Sequence, residues 1–143
     1  SLPLVHRERI QFAPGLGMIN RVVVEAGESA SDFGSQVSLG RLLTAVGYNP
    51  FLTGISLEPG TGAALYANGQ IEIFGAGAAL VVDGSALTHT SLHEVEGAVP
   101  ASLLGVQLHL LALGCTYSIE SHLATAPSPG DVQLQSNAVK AAF

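Results

Sequence analysis

The chain has 143 residues, 48% of them apolar and only 11% charged, with a formal net charge of −6. That is one domain's worth of polypeptide, with apolar residues enough for a core and under half the usual share of charges. Its five bases, Arg7, Arg9, Arg21, Arg41 and Lys140, form no patch, which argues against nucleic acid and anionic membrane surfaces as partners.

So few charges cannot cover a whole surface. Exposed apolar area of this kind is expected to be an interface, with a second chain or a second copy. No run of 18 apolar residues occurs, so no transmembrane helix is expected. The single Cys115 excludes an internal disulfide and leaves the compartment undecided. No signal peptide is visible, yet the chain starts at Ser1 without Met. A processed or secreted soluble chain is the expectation.

In chain order, residues 1–10 carry a charged Arg7-Glu8-Arg9 knot among aliphatics and read as an arm or an edge strand. Residues 13–17, Ala-Pro-Gly-Leu-Gly, are a turn. Val22-Val23-Val24-Glu25 is a β-branched run with the length of a buried parallel strand. Residues 26–36 are small and polar, a loop of the type that carries active-site groups. Leu39, Leu42, Leu43 and Val46 follow at helical spacing, and Pro50 ends that helix.

A β-rich second part begins at Phe51. Residues 52–57 are a strand and 58–62 a tight loop. Residues 63–67 and 70–74 flank Asn68-Gly69, the strongest short hairpin signal. Residues 79–83 form another strand, closed by Gly84. Residues 85–101 are a polar excursion. Residues 106–110 alternate as a strand does, and 116–119 add a short last one. From Ala124 to Phe143 the chain, with Pro127 and Pro129, reads as an extended tail.

Candidate chemistry is sparse. His89 and His93 stand four apart, ahead of Glu94, and would share one face of a helix. The pattern is not His-Glu-x-x-His and lacks a third ligand, so a solvated loop is preferred and no metal is expected. Cys115, at the end of an apolar run, reads as a buried inert thiol. His109 reads as a hydrogen-bonded sheet residue, and His6 and His122, near the ends, say little. Gly15 and Gly17 precede the strand rather than follow it, so they form no dinucleotide fingerprint. No Gly-x-Ser-x-Gly elbow occurs. Ser29, Ser31, Ser35 and Ser38 crowd one loop without a histidine near them in sequence.

The order of motifs is nonetheless specific. Gly15-Leu16-Gly17, Val22-Val23-Val24-Glu25, Gly40-Arg41-Leu42-Leu43 and Asn49-Pro50-Phe51-Leu52-Thr53-Gly54 come first. Phe74-Gly75-Ala76-Gly77, Val81-Val82-Asp83-Gly84-Ser85 and Leu108 to Leu111 with Gly114 and Tyr117 continue it. Over about residues 13–120 this series resembles the C-terminal half of cyanophycinase-like serine peptidases. The resemblance implies an α/β fold of the flavodoxin-like, class I glutamine-amidotransferase-like three-layer kind, with a β-rich second part. It implies that residues 1–123 are the C-terminal part of that domain and 124–143 a tail. It also implies a Ser-His-Glu triad whose serine sits in the missing N-terminal half.

Here the sequence departs from the family. The acidic place before the family's histidine matches Glu25, but the following two places are Ala26 and Gly27. With an insertion in the loop, the histidine place falls at Asp32 instead. Glu58 follows the next strand, yet the best register puts Pro59 at the glutamate position. The substrate-contacting arginines align with Gln36 and Ser38, and Arg41 is the basic side chain left as a weak ligand-binding candidate. A serine nucleophile needs a base within reach, and an exposed aspartate near its reference pKa of about 4 is a poor one. Loss of a triad base costs on the order of 10⁴ to 10⁶ in rate.

The expectation is therefore a chain that has lost catalysis and acts as a binding or structural subunit. Its partner would be a second chain carrying the N-terminal half, with homo-oligomerisation besides, and no cofactor. The alternative is one chain of a two-chain serine hydrolase whose nucleophile lies on the other chain.

Overall fold

The computed structural model describes residues 3–7, 20–26, 33–131 and 140. The β-branched run Val22–Ala26 is strand β1, followed by helix α1 (Gln36–Tyr48) and strand β2 (Thr53–Leu57). Ser35 caps α1, its Oγ accepting the Ser38 backbone N–H at 3.2 Å. Asn49 donates its N–H to the Ala45 carbonyl at 3.0 Å, and Pro50 then prevents another turn. The strand–helix–strand order makes β1 and β2 parallel, Val24 facing Ile55 and Glu25 facing Ser56.

The rest of the chain is short strands: β3 (Thr61–Leu65), β4 (Gln70–Gly75), β5 (Ala79–Asp83), β6 (His89–Thr90), β7 (Leu103–Leu104), β8 (Gln107–Leu111), β9 (Thr116–Ser118) and β10 (Leu123–Thr125). One sheet has the order β1-β2-β5-β8, a second β10-β9-β4-β3, and β6 pairs with β7 alone. β5 lies antiparallel to both β2 and β8. A parallel pairing needs a crossover, in most cases a helix, and between β2 and β5 the chain builds only the β3–β4 hairpin. The molecule is thus mixed α/β, with one parallel strand pair and antiparallel pairing elsewhere among the described residues.

Two apolar seams join three layers. Leu42 and Val46 of α1, one turn apart, bury against Val82 on one face of the first sheet. Gly54 permits that approach, because a Cβ there would lie 3.3 Å from Leu42 and Val82. On the other face, Ile55, Ala79 and Val81 pack with Ile71, Ile73 and Tyr117 of the second sheet.

Several expectations are corrected. β1 is an edge strand among the described residues and is half buried rather than buried, with Val24 53% exposed. The hairpin is not a two-residue turn. β3 ends at Leu65, Tyr66 N–H bonds to the Gln70 carbonyl, and Gly69 takes the left-handed conformation (φ 81°) while Asn68 does not. That is a three-residue connection closed by a glycine bulge. Residues 85–101 are not wholly solvated, because Leu92 is fully buried and His89–Thr90 pair with Leu103–Leu104. Leu123–Thr125 is a further strand, paired with β9. Residues 3–7 form no strand: Val5 and His6 are buried, and the Val5 carbonyl accepts the Ala101 N–H. The turn at 13–17 lies outside the described residues.

Candidate functional site

The parallel pair β1–β2 brings two strand ends together beside the first turns of α1, the position where open α/β sheets place ligands. Glu25 sits there with both carboxylate oxygens engaged. Oε1 accepts from Arg41 Nη1 at 2.9 Å, and Oε2 accepts from Ser38 Oγ at 2.9 Å. Ser38 Oγ also lies 3.3 Å from Ser56 Oγ, and both serines are buried. Arg41 is more than half exposed, and a surface ion pair of this kind contributes under about 1 kcal/mol.

Glu58 stands one residue past the end of β2. Its backbone N–H donates to the Ala78 carbonyl at 3.0 Å, and its Oε2 accepts the Ala78 N–H at 2.8 Å. The side chain therefore staples the β4–β5 connection to the end of β2. Pro59 follows, exposed, in a turn closed by Thr61 N–H on the Glu58 carbonyl. Gly27 and Asp32 lie outside the described residues, as do Ser29 and Ser31. Of the positions singled out in the sequence, Glu25, Ser38 and Arg41 come together. Glu58 is committed to a different contact.

All five histidines are described, and none hydrogen-bonds to Glu25 or Glu58. His89 lies on β6 and His93 in a turn, its ring edge-on to Tyr48 at 5.1 Å, so the shared helical face does not form. His109 lies 5.7 Å from the Tyr117 ring, and its buried Nε2 has no hydrogen-bond partner, unlike the expected sheet histidine. Cys115 is half buried against the core. Among the described residues, no three His, Cys, Asp or Glu side chains converge as a metal site, and no helix is long and apolar enough to cross a membrane.

A second cluster, marked by no motif in the sequence, lies at the opposite end of the first sheet. Asp83, the last residue of β5, faces Thr53, the first of β2. It is 1% exposed. Its Oδ1 accepts the Ser85 N–H at 2.8 Å and lies 3.3 Å from His122 Nδ1. Oδ2 has no partner of good hydrogen-bond geometry. Burial works to raise the Asp83 pKa, but the Ser85 hydrogen bonds, the nearby Tyr117 hydroxyl and the His122 charge outweigh it. The carboxyl is held below its usual range. Burial first, then the Asp83 carboxylate, pushes the Tyr117 phenol well above its ordinary value. His122 is the one described non-glycine residue with a positive φ, 58°. Its position two residues before the tail gave no signal, because its partner lies 39 residues upstream.

No protein-family model matches the chain. Individual proteins do. The chain is 31% identical over 117 residues to a cyanophycinase of Geminocystis herdmanii, an alignment covering 82% of the chain and 41% of that protein. It is 31% identical over 109 residues to a cyanophycinase of Trichormus variabilis, covering 76% of the chain and 35% of the relative. A cyanophycinase of Synechococcus elongatus is 27% identical over 117 residues, with 82% and 35% covered. The chain thus spans well under half the length of these curated relatives.

Proposed function

Taking the similarity to part of the cyanophycinase chain as premise, we propose that this protein is a non-catalytic, cyanophycinase-like subunit that works by binding or as a structural element. Its flavodoxin-like sheet is completed by a second chain carrying the N-terminal half, which docks on the β1 edge, open among the described residues. The observation that carries the reading is the state of Glu25. Its carboxylate is engaged by Ser38 and Arg41, and no imidazole stands beside it. Without an imidazole, a serine presented by the partner would lack the base that takes its proton.

The half-exposed Val24 on β1, and the exposed Leu108 and Leu110 on β8 at the other edge, support the partner. Unpaired sheet edges with apolar side chains invite pairing with another chain. Native mass spectrometry of the assembly, beside an assay on β-aspartyl-arginine peptides, tests the reading. A second polypeptide and no turnover above background are expected. A lone monomer, or turnover at an enzymatic rate, contradicts it.

A further inference from the structure

A pocket of about 440 Å³ opens at the Asp83 end of the first sheet, away from Glu25 and Glu58. Arg21, Phe51, Ser85, Leu87 and His122 are among the residues that line it. Two of them bring positive charge or the capacity for it, in a chain with a net charge of −6 and only five Lys and Arg. Each is held from behind by a carboxylate that does not itself line the pocket. Arg21 Nη1 bonds to Glu120 Oε1 at 2.6 Å, and Nη2 reaches the Ile119 carbonyl at 3.5 Å. His122 Nδ1 faces the buried Asp83 at 3.3 Å.

Those contacts orient both side chains and leave donors over. A guanidinium has five N–H donors, and Arg21 commits one on each terminal nitrogen. With Nδ1 turned to Asp83, the Nε2 of His122 remains for a ligand. The remaining side chains of the wall include the apolar Pro50, Leu87 and Phe51, a residue 80% exposed. A guanidinium fork with an imidazole beside it suits a carboxylate, and the aromatic and aliphatic wall suits an apolar body attached to it.

We propose that this pocket binds a small carboxylate bearing an apolar group, with Arg21 and His122 as its anion-recognising side chains and Phe51 as its apolar platform. The site is independent of the fate of the Glu25 end. It stands whether or not the chain is catalytic and whichever chain completes the sheet.

Titration of the native assembly with 3-phenylpropionate, followed by calorimetry and by the NMR signals of the His122 ring, tests the site. Saturable binding is expected, with 3-phenylpropionamide at least about tenfold weaker, the loss expected for a charge-assisted hydrogen bond. Arg21→Gln should weaken binding about tenfold, and so should His122→Asn. Asparagine tolerates the left-handed backbone and keeps a donor toward Asp83 while removing Nε2. Circular dichroism of both variants should match the parent, which separates loss of the site from loss of the fold. Equal binding of acid and amide, unchanged affinity in folded Arg21→Gln, or binding of inorganic phosphate as tight as that of 3-phenylpropionate would overturn the assignment.

Discussion

Glu25 and Asp83 are carboxylates at opposite ends of one sheet, and their surroundings assign them different work. Glu25 is held by an exposed arginine and a buried serine. Arg41→Ala should cost no more than about 1 kcal/mol, because the pair is open to solvent. Asp83 is buried, with the Ser85 N–H on Oδ1 and His122 alongside. Asp83→Ala strands those donors, and a loss of about 2 to 3 kcal/mol is expected. Urea denaturation of the two variants checks the contrast, and similar losses in both would refute it.

At the scale of elements, the contact between α1 and the first sheet depends on Gly54. Gly54→Ala puts a methyl 3.3 Å from Leu42 and from Val82, and should cost about 1 to 3 kcal/mol through displacement of the helix. Ile73→Ala, in the seam between the sheets, should cost about 2 to 5 kcal/mol. Thermal unfolding checks both.

The helix and the longer strands were legible because each carries its own period: Leu42 and Val46 for α1, the β-branched run for β1, alternation for β8. Asn68-Gly69 announced its hairpin but not the bulge, since that depends on which residue takes the left-handed conformation. β6, β7 and β10 were invisible, because two- and three-residue strands exist only through their partners. The Glu25–Arg41 pair was missed for a related reason. Arg41 read as a helix residue, and only the parallel packing of β1 beside α1 brings its guanidinium to the carboxylate. His122 meets Asp83 through tertiary structure alone.

For the whole molecule, Asp83 and Tyr117, both buried, make stability depend on pH in opposite directions. The Asp83 pKa is lowered by folding, so its contribution is present above the ordinary carboxylate value of about 3.9 and disappears as the pH falls through the folded value. The Tyr117 pKa is raised, so its contribution is complete below about pH 10 and is lost as the pH rises toward the folded value. Denaturation midpoints should fall at both extremes, and Tyr117→Phe should flatten the alkaline limb. An unchanged alkaline limb in Tyr117→Phe would refute the assignment.

The low charge of the chain, the β1 edge left open among the described residues and a similarity that covers 35% to 41% of each relative are the observations behind the proposal of a binding subunit. In that proposal, binding has outlasted the chemistry. Treatment of the native assembly with a fluorophosphonate, followed by intact-mass analysis, distinguishes a binding subunit from an enzyme, because the reagent marks only a serine activated by a base. Unmodified masses for every chain are expected. One probe per assembly, on a single serine, would contradict the claim and establish a two-chain hydrolase.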